Sequence, residues 1–124
     1  MELASCSFGQ SSKVSYLQMI TAVAAIVNGG RLMQPYVVQR ITAPDGTVLR
    51  EVEPTVKRQV IQEETSATMC DLIEAVITDG TGQKAAVPGY RVGGKSGTSQ
   101  KLDSDNEGAR ISRFVAVAPL DQPR

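Results

Sequence analysis

Six of the eleven glycines in this 124-residue chain, Gly80, Gly82, Gly89, Gly93, Gly94 and Gly97, fall in one stretch, GTGQKAAVPGYRVGGKSGTSQK. Glycine costs a helix interior about 1 kcal/mol relative to alanine, so a run this rich in it ends helical structure near Gly80. Beyond that point the chain must turn and extend. The fold therefore has to mix helix with strand.

Two helices are predicted before the run. In VSYLQMITAVAAIVNGG, Leu17, Ile20, Ala24 and Val27 recur at helical spacing. Ser15 with Gln18 makes a capping box, and Asn28, Gly29 and Gly30 suit a left-handed C-terminal cap. Apolar residues lie nearly all round this segment, which predicts a core helix. The second helix is expected from Glu63 to Asp79, with Met69, Ile73, Val76 and Ile77 along one stripe, Gln62 as a poor cap and Gly80 closing it. Between them, residues 31–53 read as extended chain: PYVVQRI, a bend at Pro44, Asp45 and Gly46, then VLREVE, a hairpin signal.

After the glycine run, a polar loop, LDSDNEGARIS, leads to FVAVA, which reads as a buried strand ended by Pro119. A tight loop there makes the last two strands antiparallel neighbours. The expected class is α+β, an antiparallel sheet flanked by helices. Parallel βαβ units fit poorly.

Composition excludes several functions. Thirteen basic and thirteen acidic residues cancel, and with no Trp and five other aromatics there is no platform for bases, so nucleic acid is not an expected partner. There is no histidine, so acid and base chemistry falls to Lys, Asp, Glu, Tyr or a partner segment. Cys6 and Cys70 form no CxxC pair, and neither a metal nor a cofactor is expected. Cys70 lies on the apolar face of the second helix as a small hydrophobe; a bridge to Cys6 would require an extracytoplasmic setting. The apolar run from Met19 to Val27 is too short to span a bilayer, and the first residues lack the features of a secretion signal.

Gly89 to Ser96, GYRVGGKS, fits the phosphate-loop formula GxxxxGK[ST]. That loop needs a buried strand before it and a helix starting at its lysine. Pro88 and Gly89 make a turn instead, and the residues after Lys95 have no helical period. Asp121 is the one candidate for holding magnesium, and Pro119 separates it from its strand. The alternative is that YRVGGKSGTSQK is itself a strand.

Read so, Lys95-Ser96-Gly97 resembles the KTG or KSG motif of the penicillin-binding proteins and serine β-lactamases. The surroundings extend the likeness. SFGQSSKVSYLQMITAVAAIVNGGRLMQPYVV is similar to the family's GQG-like turn, VTPLQ-type helix start, ANGG helix end and PHVV strand, and RFVAVAPLDQP resembles FVGFAPADNP. The likeness covers nearly the whole chain, read as one partial domain over residues 1–124, and has the flavour of the class B transpeptidases. Ser11, Ser15, Tyr16 and Gln62 depart from the usual letters. The larger departure is the nucleophile: no serine is followed three residues on by lysine, so the SxxK motif is absent. Ser104-Asp105-Asn106 has the letters of the SxN motif but follows the KSG strand rather than preceding it, and reads as an exposed turn. The expectation is a partial transpeptidase domain, truncated at both ends.

The resemblance implies an enzyme whose serine attacks the bond between two D-alanines of a peptidoglycan stem peptide and passes the acyl group to an amine. β-Lactams mimic that peptide. It further implies a parent protein on the outer face of the bacterial cytoplasmic membrane. Lys95 would offer a positive charge to the substrate carboxylate and help relay a proton. Ser96 and Thr98 would offer hydroxyls, Gly97 room for the substrate backbone, and the Thr98 amide one oxyanion-hole donor. Alternation puts Lys95 and Gly97 on one side and Ser96 and Thr98 on the other, so the cleft must meet the strand edge-on. The chain alone should not acylate. Open strand edges and uncovered apolar faces lead to an expectation of self-association. A β-lactamase or β-lactam sensor, and more distantly a phosphate-loop module, remain open alternatives.

Overall fold

The computed structural model describes residues 2–7, 9, 13–101 and 108–121. A short helix, α1 (Glu2–Ser7), precedes α2 (Tyr16–Val27). The start of α2 is set locally. The Gln18 N–H donates to the Ser15 hydroxyl at 3.2 Å, and the Ser15 N–H donates to Gln18 Oε1 at 2.8 Å, completing the expected capping box. Its end is set by glycine. Asn28 donates back to the Ala24 carbonyl at 3.1 Å, and Gly29 follows in the left-handed region at φ +84°.

The chain then extends. Strand β1 (Arg31–Met33) pairs antiparallel with β4 (Val56–Gln59), and between them lies the hairpin of β2 (Arg40–Thr42) and β3 (Val48–Glu51). The hairpin bends at the expected Pro44, Asp45 and Gly46. Gly46 donates to the Ala43 carbonyl at 3.0 Å and adopts φ +87°. The Thr47 N–H donates to Asp45 Oδ1 at 3.0 Å, which holds that carboxyl below its usual range. The β1–β4 pairing was not predicted, and the regular part of PYVVQRI is shorter than the extended reading.

Helix α3 (Glu63–Thr78) packs on α2 through a buried hydroxyl. Ser66, 2% exposed, donates to the Ile26 carbonyl at 2.5 Å and accepts the Gly29 N–H at 3.0 Å. It thereby satisfies two main-chain groups that the end of α2 leaves open. Gln62 caps α3 without a side-chain bond, as its chemistry predicted. Gly80 follows the end of α3 as expected. It does not take the left-handed conformation; instead, a Cβ there would lie 2.8 Å from the Val76 carbonyl oxygen. Close approach, not backbone angle, requires glycine.

A short 3-10 turn (Gln83–Ala85) and a bend at Pro88 and Gly89 lead into β5 (Gly93–Gln100), which pairs antiparallel with β6 (Arg110–Val117) along its whole length. The bend has Gly89 at φ +84° and is closed by the Tyr90 N–H on the Val87 carbonyl at 3.1 Å. Gly93 lets α3 approach, since a Cβ there would meet Ile73 Cγ1 at 2.7 Å.

Burial differs from expectation in two places. FVAVA is not buried throughout: Val115 and Val117 are half-buried, while Phe114 is 45% exposed, so one face only is covered. Nor is α2 buried all round, with Leu17 58% and Ile20 56% exposed. Its apolar circumference exceeds what the described residues cover. The core comprises Ala25, Val27, Ile77, Val92 and Leu120. The accessible surface, 9781 Å², stands against roughly 6,400 Å² for a folded monomer of this mass.

Candidate active site

The site residues are placed by the ladder between β5 and β6. Lys95 lies opposite Val115, Ser96 opposite Phe114, Gly97 opposite Arg113 and Thr98 opposite Ser112. The same register continues past the strands, where the Lys101 N–H donates to the Ala109 carbonyl at 2.9 Å. Hydrogen-bonded and non-bonded pairs alternate in an antiparallel ladder, so odd-numbered residues of β5 spend their main-chain groups on β6. The even-numbered residues Ser96 and Thr98 turn theirs to the opposite edge. The Lys95 ammonium marks that edge, since it donates to the Ser96 carbonyl at 2.7 Å. Among the described residues no strand pairs there.

Side chains follow the other axis. Gly93 faces Ile73 of α3, so Lys95 and Gly97 share the α3 side while Ser96 and Thr98 lie on the far side. A Cβ placed on Gly97 would meet nothing within 4 Å, and its φ is not left-handed. The fold around it thus leaves that glycine's space empty. A cavity of about 600 Å³ opens between the helices and this strand, lined by Val23, Met69, Ile73, Lys95 and Gly97 among others. Its walls are apolar except along β5 and at Arg113.

A cluster of charges that sequence reasoning missed stands at the start of the strand. Arg91 donates through Nε to Glu74 Oε1 at 2.9 Å, through Nη2 to Glu74 Oε2, and through Nη1 to Asp121 Oδ1 at 2.6 Å. Asp71 lies 3.8 Å from the same guanidinium. The hydrogen bonds from Arg91 hold the Glu74 carboxyl below the usual range. Its folded pKa thus lies under its unfolded value of about 4.3, so its contribution is complete above that pH and is lost as pH falls through the folded value. The difference in urea midpoint between the unsubstituted protein and Glu74→Gln is therefore expected to shrink between pH 7 and about pH 3. A difference that stays constant would show that Glu74 acts by packing alone.

Burial raises the Cys70 thiol pKa, and both Cys70 and Cys6 are free thiols. Ser104-Asp105-Asn106 lies outside the described residues. The phosphate-loop alternative is overturned, because Lys95 sits within β5 rather than at a helix start. Among the described residues no helix is long and apolar enough to cross a membrane.

Penicillin-binding protein A of Mycobacterium tuberculosis, solved as an imipenem acyl-enzyme complex, matches 98% of this chain with 27% of its own, at TM-score 0.83 and 25% identity. The transpeptidase domain of Burkholderia pseudomallei penicillin-binding protein 3 matches 99% of this chain with 35% of its own, at TM-score 0.74 and 34% identity. The architecture is therefore that of the penicillin-binding transpeptidases. The family model described as penicillin binding protein transpeptidase domain matches residues 1–124, and the chain belongs to that family.

Stage V sporulation protein D of Bacillus subtilis is 41% identical over 99% of this chain and 20% of its own length. A probable peptidoglycan D,D-transpeptidase FtsI of Caulobacter vibrioides is 38% identical over 98% of this chain and 20% of its own. The chain thus spans about a fifth of the length of these curated relatives. The class B resemblance is borne out, and the transpeptidase reading is favoured over that of a β-lactamase or sensor.

Proposed function

We propose that this segment forms the carboxylate-binding, oxyanion-stabilising wall of a peptidoglycan D,D-transpeptidase, and that a nucleophilic serine elsewhere in the parent domain completes the site. The observation that carries this reading is the open edge of β5, to which the Lys95 ammonium and the even-numbered main-chain groups are turned. A substrate lying along that edge as an added strand meets the Thr98 N–H, and the Lys95 charge faces its terminal carboxylate. Gly97 leaves room beneath it. Ser96 and Thr98 add hydroxyls from the far side. β-Lactams occupy the same edge, and the parent works on the outer face of the cytoplasmic membrane. The isolated chain, with Leu17, Ile20 and Leu72 more than half exposed, self-associates.

Incubation with a fluorescent penicillin followed by denaturing electrophoresis tests the division of labour. The 124-residue chain is expected to take no covalent label, while a transpeptidase domain containing it takes label at a serine outside it. A band on the isolated chain would overturn the assignment of the nucleophile.

A further inference from the structure

We propose that Arg91 is a positioning residue, which sets the tilt of the Lys95–Thr98 edge by tying both strands of its sheet to α3. The proposal rests on the reading that this edge binds substrate. Arg91 stands two residues before β5, and its guanidinium forks between Glu74 on α3 and Asp121, four residues beyond β6. Its own carbonyl accepts the Leu120 N–H at 3.0 Å. One residue thus joins the start of β5, the exit of β6 and the helix.

Direct packing of α3 on β5, with Ile73 against Gly93, fixes part of that angle, but among the described residues the outer edge of β5 has no neighbouring strand to hold it. Thr98 lies seven residues from Arg91, about 23 Å along an extended chain, so a rotation of about 5° at the clamp moves it about 2 Å. A displacement of about 1 Å at reacting groups can reduce rate about 100-fold. The clamp contributes little to global stability, because its side chains are 46% (Arg91), 24% (Glu74) and 59% (Asp121) exposed. Alignment and stability can therefore be separated by experiment.

The test uses the folded transpeptidase domain that contains this segment. Arg91→Ala is expected to lower the second-order rate of acylation by a fluorescent penicillin at least about 10-fold, with a melting shift under about 3 °C. Arg91→Lys keeps the charge but loses the fork, and is expected to fall between Arg91→Ala and the unsubstituted domain. Glu74→Gln and Asp121→Asn each release one arm and serve as milder variants. Amide resonances of Lys95 and Thr98 should move in Arg91→Ala, while those of the β2–β3 hairpin stay. An acylation rate within about twofold of the unsubstituted domain, an unmoved Thr98 amide, or a loss that only tracks unfolded protein overturns the proposal. If the unsubstituted domain takes no label, the functional reading fails instead, and the amide positions alone decide the clamp.

Discussion

Gly30→Ala is expected to destabilise the fold by roughly 2–5 kcal/mol, the sum of a left-handed backbone penalty and overpacking. Gly30 has φ +84°, and a Cβ on it would lie 2.0 Å from the Ile61 carbonyl oxygen and 2.6 Å from Gln59 Nε2. Neither can move cheaply. Gln59 Nε2 donates to the carbonyls of both Gly29 and Ile61 at 2.6 Å, and the Val60 N–H donates to the Gly30 carbonyl at 2.8 Å. Urea midpoints at constant slope would measure the loss. Gly46→Ala separates the two contributions, since Gly46 has φ +87° but open space around it, and about 1–2 kcal/mol is expected there. Equal losses at the two sites would show that crowding against Ile61 has no weight.

Lys95→Ala in the larger domain is expected to reduce β-lactam acylation between about 30-fold and several thousandfold, because it leaves a ligand carboxylate facing the edge without its cation. The fold should survive. Lys95 is exposed, and its one described bond is to the neighbouring Ser96 carbonyl. Lys95→Arg keeps the charge with a different reach and is expected to lie between the two. Rates measured at matched folded fraction would decide, and a Lys95→Ala rate close to the unsubstituted one would remove this lysine from the site.

What could be read in advance was what local chemistry encodes. The Ser15–Gln18 box, the Gly29 cap and the Pro44–Gly46 bend each depend on a few adjacent residues, and each formed as expected. The β1–β4 pair escaped because VKRQ has no apolar alternation and its partner lies more than twenty residues upstream. The Arg91 cluster escaped for a related reason: Glu74, Arg91 and Asp121 are far apart in sequence and meet only after α3 has packed on β5. Gly80 was placed correctly, and the contact that requires glycine there, against the Val76 carbonyl four residues back, is as local as the caps. At the site, the letters KSGT were legible, but which amides face outward depends on the register against β6, which no local pattern contains.

That register has an evolutionary consequence. The outward N–H of Thr98 belongs to the main chain, so nineteen of the twenty amino acids supply it equally and only proline removes it. On the proposed reading of the site, selection acting on this segment can exchange hydroxyls, methyls or charges at Ser96 and Thr98 while the main-chain donor passes unchanged from one variant to the next. On that reading, inherited variation in ligand preference along this edge is confined to side chains and strand tilt, and of the substitutions at Thr98 only that to proline reaches the donor itself.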